Sequence, residues 1–194
     1  MPAKAQRMIA LVTEDGRIGC IEGQTGIGRN LDWRAVRDEG GPAGWALVER
    51  GGDPTDLRFA LCVGNELAAR DFDATLCFRP MGGERHQAAG LVFRGQNAAN
   101  YYVVRADARE GNVWLYRVVN GRRAGIAGKD APVKLGQWHE LKVRAALDKF
   151  EVWLDGTSLF TATDRSLPVA GALGVWSQGD SVTHFGLLLV EPTR

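Results

Sequence analysis

The chain has 194 residues, of which 45% are hydrophobic and 24% charged, a composition that allows one domain with a sizeable core. Basic and acidic side chains nearly cancel, 24 against 23, and the longest basic run is Arg122-Arg123, so the basic excess or stripe of a nucleic-acid binder is missing. No apolar run approaches the roughly 18 residues of a spanning helix, which speaks against membrane insertion.

The first forty residues are the least legible. Met8 to Val12 reads as a short strand, Glu14-Asp15-Gly16 as a turn and Arg17 to Ile21 as a return. The apolar stretch is too short for a signal-peptide core, so the chain is either intracellular or begins after a removed leader. Gly23 to Asn30, G-Q-T-G-I-G-R-N, reads as a surface loop, since it matches neither phosphate-cradling glycine motif. From Trp45 the rhythm of strands strengthens: W-A-L-V-E, L-R-F-A-L-C-V, D-A-T-L-C-F-R, A-G-L-V-F-R, N-Y-Y-V-V-R-A and N-V-W-L-Y-R-V-V. Asn120-Gly121 then marks a tight hairpin, followed by Q-W-H-E-L-K-V-R-A, K-F-E-V-W-L, the Asp155-Gly156 turn, T-S-L-F-T-A, A-L-G-V-W-S and H-F-G-L-L-L-V. Strands recurring every 10–13 residues, with 25 glycines for turns and no helical apolar stripe, predict an all-β, two-sheet antiparallel sandwich. No linker interrupts Trp45 to Val190, so residues 1–194 read as one domain.

The chemistry must then lie on strand faces, because successive side chains point to opposite sides. Leu91 and Phe93 oppose Val92 and Arg94; Tyr101, Val103 and Arg105 oppose Tyr102 and Val104; Trp114 and Tyr116 oppose Val113 and Leu115. Phe150, Val152 and Leu154 oppose Glu151, Trp153 and Asp155, while His139, Leu141 and Val143 take the core side of their strand. Arg94, Tyr101, Arg105, Trp114, Tyr116 and Trp153 therefore emerge as aromatic and cationic side chains set beside one another. Rings stack on the C–H face of a sugar and guanidinium groups donate to its hydroxyls, so a glycan or other small polar ligand is the expected partner. The competing reading is structural, an arginine stem covering an aromatic ring.

Catalytic signatures are missing. The alternating E-x-D-x-E strand of retaining glucanases is absent, which leaves Glu140, Glu151 or Asp107 as the acids available to a hydrolase or lyase. The G-x-S-x-G elbow is also absent, and Ser158, Ser166, Ser177 and Ser181 have no evident histidine partner. His86, His139 and His184 lack metal-ligand spacing and read as structural. Cys20, Cys62 and Cys77 form no CxxC, which argues against structural zinc. Cys62 and Cys77 lie in strand-like runs and can face each other across a ladder; two reduced cysteines are expected, since a bond needs both the right geometry and an oxidising compartment.

Six segments carry a family resemblance: Q-A-A-G-L-V-F-R (87–94), N-Y-Y-V-V-R (100–105), N-V-W-L-Y-R-V-V-N-G-R-R (112–123), G-Q-W-H-E-L (136–141), L-D-G (154–156) and G-V-W-S-Q-G-D-S-V-T-H-F (174–185). Across residues 70–190 the chain resembles the laminin-G-like, concanavalin A-like jelly rolls of bacterial proteins, including a branch similar to keto-disaccharide hydrolases. The resemblance implies a jelly roll, with periplasmic or extracellular residence and carbohydrate-active neighbours. The hydrolase branch has N-S-G-I-F-F-R where this chain has A-A-G-L-V-F-R, and W-N where it has Trp138-His139. Many relatives end the last segment with F-D-D, against Phe185-Gly186-Leu187 here, so a calcium-binding carboxylate would be missing. Asp164 and Asp180 remain as oxygen ligands should calcium bind, although each also suits a turn cap. The expectation is thus a non-catalytic, lectin-like domain using Arg94, Tyr101, Arg105, Trp114 and Tyr116, with no obligatory cofactor. The alternatives are a glycoside hydrolase or lyase, and a structural or protein-interaction module.

Overall fold

The computed structural model describes residues 5–193, so the first four residues and the last lie outside the description. The strands are β1 (Arg7–Ile9), β2 (Ile21–Gly26), β3 (Trp33–Arg37), β4 (Trp45–Glu49), β5 (Arg58–Ala69), β6 (Asp71–Gly82), β7 (Ala88–Asn97), β8 (Asn100–Asp107), β9 (Asn112–Val119), β10 (Arg122–Asp130), β11 (His139–Ala146), β12 (Lys149–Leu154), β13 (Thr157–Thr163), β14 (Gly171–Gln178) and β15 (Val182–Thr193). They form two antiparallel sheets, and no helix occurs among the described residues. One sheet runs β13-β12-β11-β6-β15-β4-β3, with β1 also pairing β15; the other runs β10-β9-β8-β7-β14-β5-β2. The architecture is a two-sheet jelly-roll sandwich.

Period-two patterning places the core between the sheets. On β6, Phe72, Ala74, Leu76 and Phe78 are buried, while Asp73, Thr75, Cys77 and Arg79 point outward. On β11 and β12 the buried set is Leu141, Val143 and Ala145 with Phe150, Val152 and Leu154, on the side their alternation predicts. β7, β8 and β14 instead bury both faces, because they lie in the middle of a sheet that has a second small core on its outer side. Between the sheets, Phe93 contacts Phe72, Tyr102 and Phe150 with ring centroids 5.2–5.6 Å apart, an arrangement of rings that adds about 0.5–1.5 kcal/mol per pair beyond area burial. Both expected hairpin turns form. Asn120 and Gly121 have φ of 51° and 75°, and Asp155 and Gly156 49° and 76°, the left-handed pair that a two-residue turn of this hand requires.

The first forty residues divide between the sheets. β1 lies beside the C-terminal strand, a turn from Thr13 to Arg17 returns the chain through a bridge between Val12 and Ile18, and β2 and β3 close one edge of each sheet. The glycine-rich stretch expected as a loop is half strand, since Ile21–Gly26 pairs with Val63 to Arg58 of β5. Pairing with a central strand overrides the low strand propensity of its glycines.

The cysteine expectation also changes. Cys62 bonds to Cys20, with Cα atoms 5.4 Å apart, while Cys77 is free. Cys62 points into the inter-sheet core from the seven-stranded sheet, whereas Cys77 points outward from the eight-stranded one, so the pair considered from sequence cannot meet.

Candidate functional site

The outer face of the seven-stranded sheet is built by register. Tyr101, Val103, Arg105 and Asp107 of β8 stand opposite Val118, Tyr116, Trp114 and Asn112 of β9. On the other flank come Ala88 and Val92 of β7, Trp176 of β14, and Phe59 and Leu61 of β5. Phe59, Leu61, Ala88, Val92, Tyr101, Val103, Val118 and Trp176 form a second core there. Gly90 makes room for it, since a Cβ at this position would lie 2.9 Å from that of Trp176.

This face is concave. Arg123 of β10 and Phe59 of β5 are five strand spacings apart, ~24 Å on a flat sheet. Yet the Arg123 guanidinium carbon lies 4.7 Å from the Phe59 ring centroid, 4.6 Å from that of Tyr116 and 5.9 Å from that of Trp176. Only a curled sheet brings these groups together. Across the floor, the Tyr101 hydroxyl joins Thr25 Oγ1 at 2.9 Å and accepts from Trp176 Nε1 at 3.2 Å. Thr25 also donates to the carbonyl of Ala98, closing β2 against the β7–β8 turn. Beyond that closure a hollow of about 210 Å³ is lined by Leu61, Val63, Val92, Ala98 and Ala172.

Polar groups gather at the rim. Arg105 donates to Glu110 Oε2 at 2.5 Å and to Asn112 Oδ1 at 2.8 Å, and its guanidinium lies 5.6 Å from the Tyr116 ring. Burial raises the Glu110 carboxyl, but the hydrogen bonds and charge of Arg105 outweigh it and hold the group below its ordinary range. Arg123 donates to Gln178 Oε1 at 3.2 Å, and Gln178 donates in turn to the carbonyl of Asp56. His86 Nε2 lies 3.0 Å from Asp56 Oδ1, and this hydrogen bond lowers the Asp56 carboxyl. Trp114 and Tyr116, both half-buried, have ring centroids 6.1 Å apart. The Trp114 ring rests on the bare backbone of Gly128, where a Cβ would come within 2.2 Å of it.

The rim loops are held from beneath. Arg58 and Glu49 form a fully buried two-pronged ion pair, 2.8 and 2.9 Å, and Arg58 also donates to the carbonyls of Arg29, Asn30 and Gly179. Asp180 accepts from the backbone N–H groups of Glu84, Arg85 and His86. Asp164 accepts from the Tyr102 hydroxyl, the Ser166 N–H and Arg117. Both aspartates considered as calcium ligands are thus engaged by protein donors. No cluster of three or more His, Cys, Asp or Glu side chains placed to hold a metal ion occurs among the described residues.

Of the sequence-derived residues, Trp114 and Tyr116 stand half-exposed at this rim, while Arg105 lies beneath them, 3% exposed and bonded to Glu110 and Asn112. Tyr101 belongs to the same face but is fully buried in its floor. Arg94 turns away: at a bulge, with φ of 49°, it donates to the carbonyls of Arg70, Leu147 and Leu167 and lies 3.6 Å from Asp71. Strict alternation fails there because the bulge redirects the side chain. Trp153 belongs to the other sheet, beside Lys142 and Arg144. Asp107 is buried on the seven-stranded sheet, while Glu140 and Glu151 lie on the eight-stranded one. Arg123, Gln178, Glu110, Asp56 and His86 were not marked from sequence as rim groups. Arg123 had one signal, since it shares a face with Val118 across the Asn120-Gly121 turn.

No family profile matches the chain. A levanase from Bacillus subtilis is 30% identical over 112 residues, 57% of this chain; those residues span 15% of the levanase's length. Among solved structures, the carbohydrate-binding module CBM66 from Bacillus subtilis superposes with a TM-score of 0.68 at 25% identity, covering 87% of this chain and 95% of the module. Domain 4 of AbnA, a GH43 extracellular arabinanase from Geobacillus stearothermophilus in complex with arabinotriose, superposes with a TM-score of 0.60 at 13% identity, covering 97% and 91%. The sandwich is therefore a concanavalin A-like, lectin-type jelly roll of the kind found in carbohydrate-binding modules.

Proposed function

We propose that the concave face of the seven-stranded sheet binds carbohydrate without cleaving it. The observation that carries this reading is the rim itself: the half-exposed rings of Trp114 and Tyr116 beside the Arg105–Glu110–Asn112 network, with Arg123 against the Tyr116 ring and bonded to Gln178. The rings offer apolar faces to sugar C–H groups, the half-buried Arg123 guanidinium donates to hydroxyls, and the 45%-exposed Glu110 carboxylate accepts from them, while the buried Arg105 and Gln178 hold these two groups in place. Hydrolysis would need a carboxylic acid held protonated near neutrality, opposite a second carboxylate. Glu110 is pulled the other way by Arg105, and Asp107 is buried. The likeness to a carbohydrate-binding module along most of this chain supports the reading. The Cys20–Cys62 bond suits an oxidising, extracytoplasmic setting. Because a levanase is among the relatives, levan-type fructan is the first ligand to try.

The test is a glycan-binding screen of wild type, Trp114→Ala and Tyr116→Ala, with and without calcium and with reducing ends assayed in parallel. Binding is expected to fall at least about tenfold in each folded variant, the loss of one stacking ring, to be indifferent to calcium, and to release no sugar. Unchanged binding in both variants would move the site elsewhere, and released sugar would overturn the non-catalytic reading.

A further inference from the structure

Resting on the carbohydrate reading, we propose that Arg123 is an anion-reading group that takes the carboxylate of an acidic sugar. The argument comes from how this chain treats its other arginines. Buried charge is costly unless paired, and the buried or half-buried arginines follow that rule. Arg58 pairs with Glu49 at 2.8 Å, Arg79 with Asp38 at 2.5 Å, Arg94 with Asp71 at 3.6 Å, Arg105 with Glu110 at 2.5 Å and Arg117 with Asp164 at 2.6 Å. Arg123 is also half-buried, yet among the described residues no carboxylate lies within ion-pair distance of it. Its protein hydrogen bond is one, from Nη1 to the neutral oxygen of Gln178. Around it stand the rings of Phe59, Tyr116 and Trp176, with Arg105, Tyr101 and Glu110 farther off.

The consequence is a cation without a carboxylate partner in a half-buried, aromatic recess. Burial, and to a lesser degree the charge of Arg105, pulls Arg123 below the usual arginine range against the opposing influence of Tyr116, Tyr101 and Glu110, and the group stays charged. Glu110 acts on it only from a distance, being already bonded to Arg105. Among the described residues the Nε–Nη2 edge of the guanidinium finds no acceptor, and that edge is the fork that matches the two oxygens of a carboxylate. The aromatic walls suit the sugar ring that would carry the acid, and Arg123 is half-buried among them. Arg122, on the opposite face of β10, is exposed and shares none of this environment.

The experiment is isothermal titration of the wild-type protein with four oligosaccharides: an oligogalacturonate, the same oligomer methyl-esterified, a sulfated neutral oligomer and a levan oligomer. The acid is expected to bind at least about tenfold more tightly than its ester, as one charge-assisted bidentate bond implies. Arg123→Gln should abolish that ratio and Arg122→Gln should keep it. Should Arg123→Gln fail to fold, Arg123→Lys is read in its place: it keeps the charge but not the two-pronged fork and should lower the ratio, whereas an unchanged ratio would overturn the proposal. Equal binding of acid and ester, or preference for sulfate over carboxylate, overturns the carboxylate assignment and leaves carbohydrate binding standing. An acid preference lost equally in Arg122→Gln also overturns it, because the effect would then be diffuse charge. Binding to no glycan overturns both.

Discussion

Tyr101 separates a stacking role from a structural one, and Tyr101→Phe tests the separation. The phenol ring stays in place, so the second core keeps its packing. The lost hydroxyl removes the acceptor for Trp176 Nε1 and one partner of Thr25 Oγ1. Thr25 retains the carbonyl of Ala98, whereas the indole N–H of the fully buried Trp176 has no other partner among the described residues. An orphaned buried donor costs about 1–3 kcal/mol, and with one group orphaned rather than two the loss should be about 1–2 kcal/mol. Urea unfolding followed by tryptophan fluorescence reads this as a lower midpoint at unchanged slope. Glycan affinity, measured well below the unfolding transition, should stay within a factor of about three. A variant as stable as wild type that loses binding would refute the assignment of Tyr101 to the floor and make its hydroxyl a ligand contact.

Replacing both Cys20 and Cys62 by alanine should cost about 4 kcal/mol on the loop-entropy estimate for a separation of 42 residues, whereas Cys77→Ser should change stability little; denaturant midpoints check both. Asp164, whose burial opposes its charge, is nevertheless held at about 2 because the donors Tyr102, Ser166 and Arg117 outweigh burial. A depressed folded pKa contributes stability above the unfolded value near 4 and loses it as pH falls toward 2, here about 2 kcal/mol. Asp164→Asn should flatten that acid limb in denaturation curves between pH 5 and 2. Arg94→Met should cost about 3 kcal/mol by stranding Asp71 and the carbonyls it joins, and should leave binding intact, since the side chain is remote from the concave rim.

The strand faces were legible because period-two alternation is a local property. Leu91 against Val92, Tyr101 against Tyr102 and Phe150 against Glu151 all fall on the sides that alternation requires. It failed at Arg94, where a bulge and a positive φ turn the side chain out of register. Curvature was not legible, because it depends on strand order: nothing local says that Arg123 on one edge reaches Phe59 near the other. For the same reason the sequence could group Trp153 with Trp114, although they stand on different sheets. The Cys20–Cys62 bond was hidden by the weak strand signal of Ile21–Gly26, whose glycines give little propensity until β5 pairs with them. Burial on both faces also cannot be told from an alternating pattern, so Tyr101 looked as available as Tyr116.

The most direct test of carbohydrate binding at the concave face is chemical-shift mapping of the isotope-labelled protein during titration with the best ligand from the glycan screen. The six tryptophan indoles are dispersed reporters, with Trp114 and Trp176 on the seven-stranded sheet and Trp33, Trp45 and Trp153 on the eight-stranded one. Binding at the rim should move the indole signal of Trp114, the side-chain amide of Gln178 and the guanidinium Nε–H groups of Arg105 and Arg123, while Trp153 stays still. Shifts confined to Trp153 and Trp138, on the eight-stranded sheet, would contradict the assignment of the site.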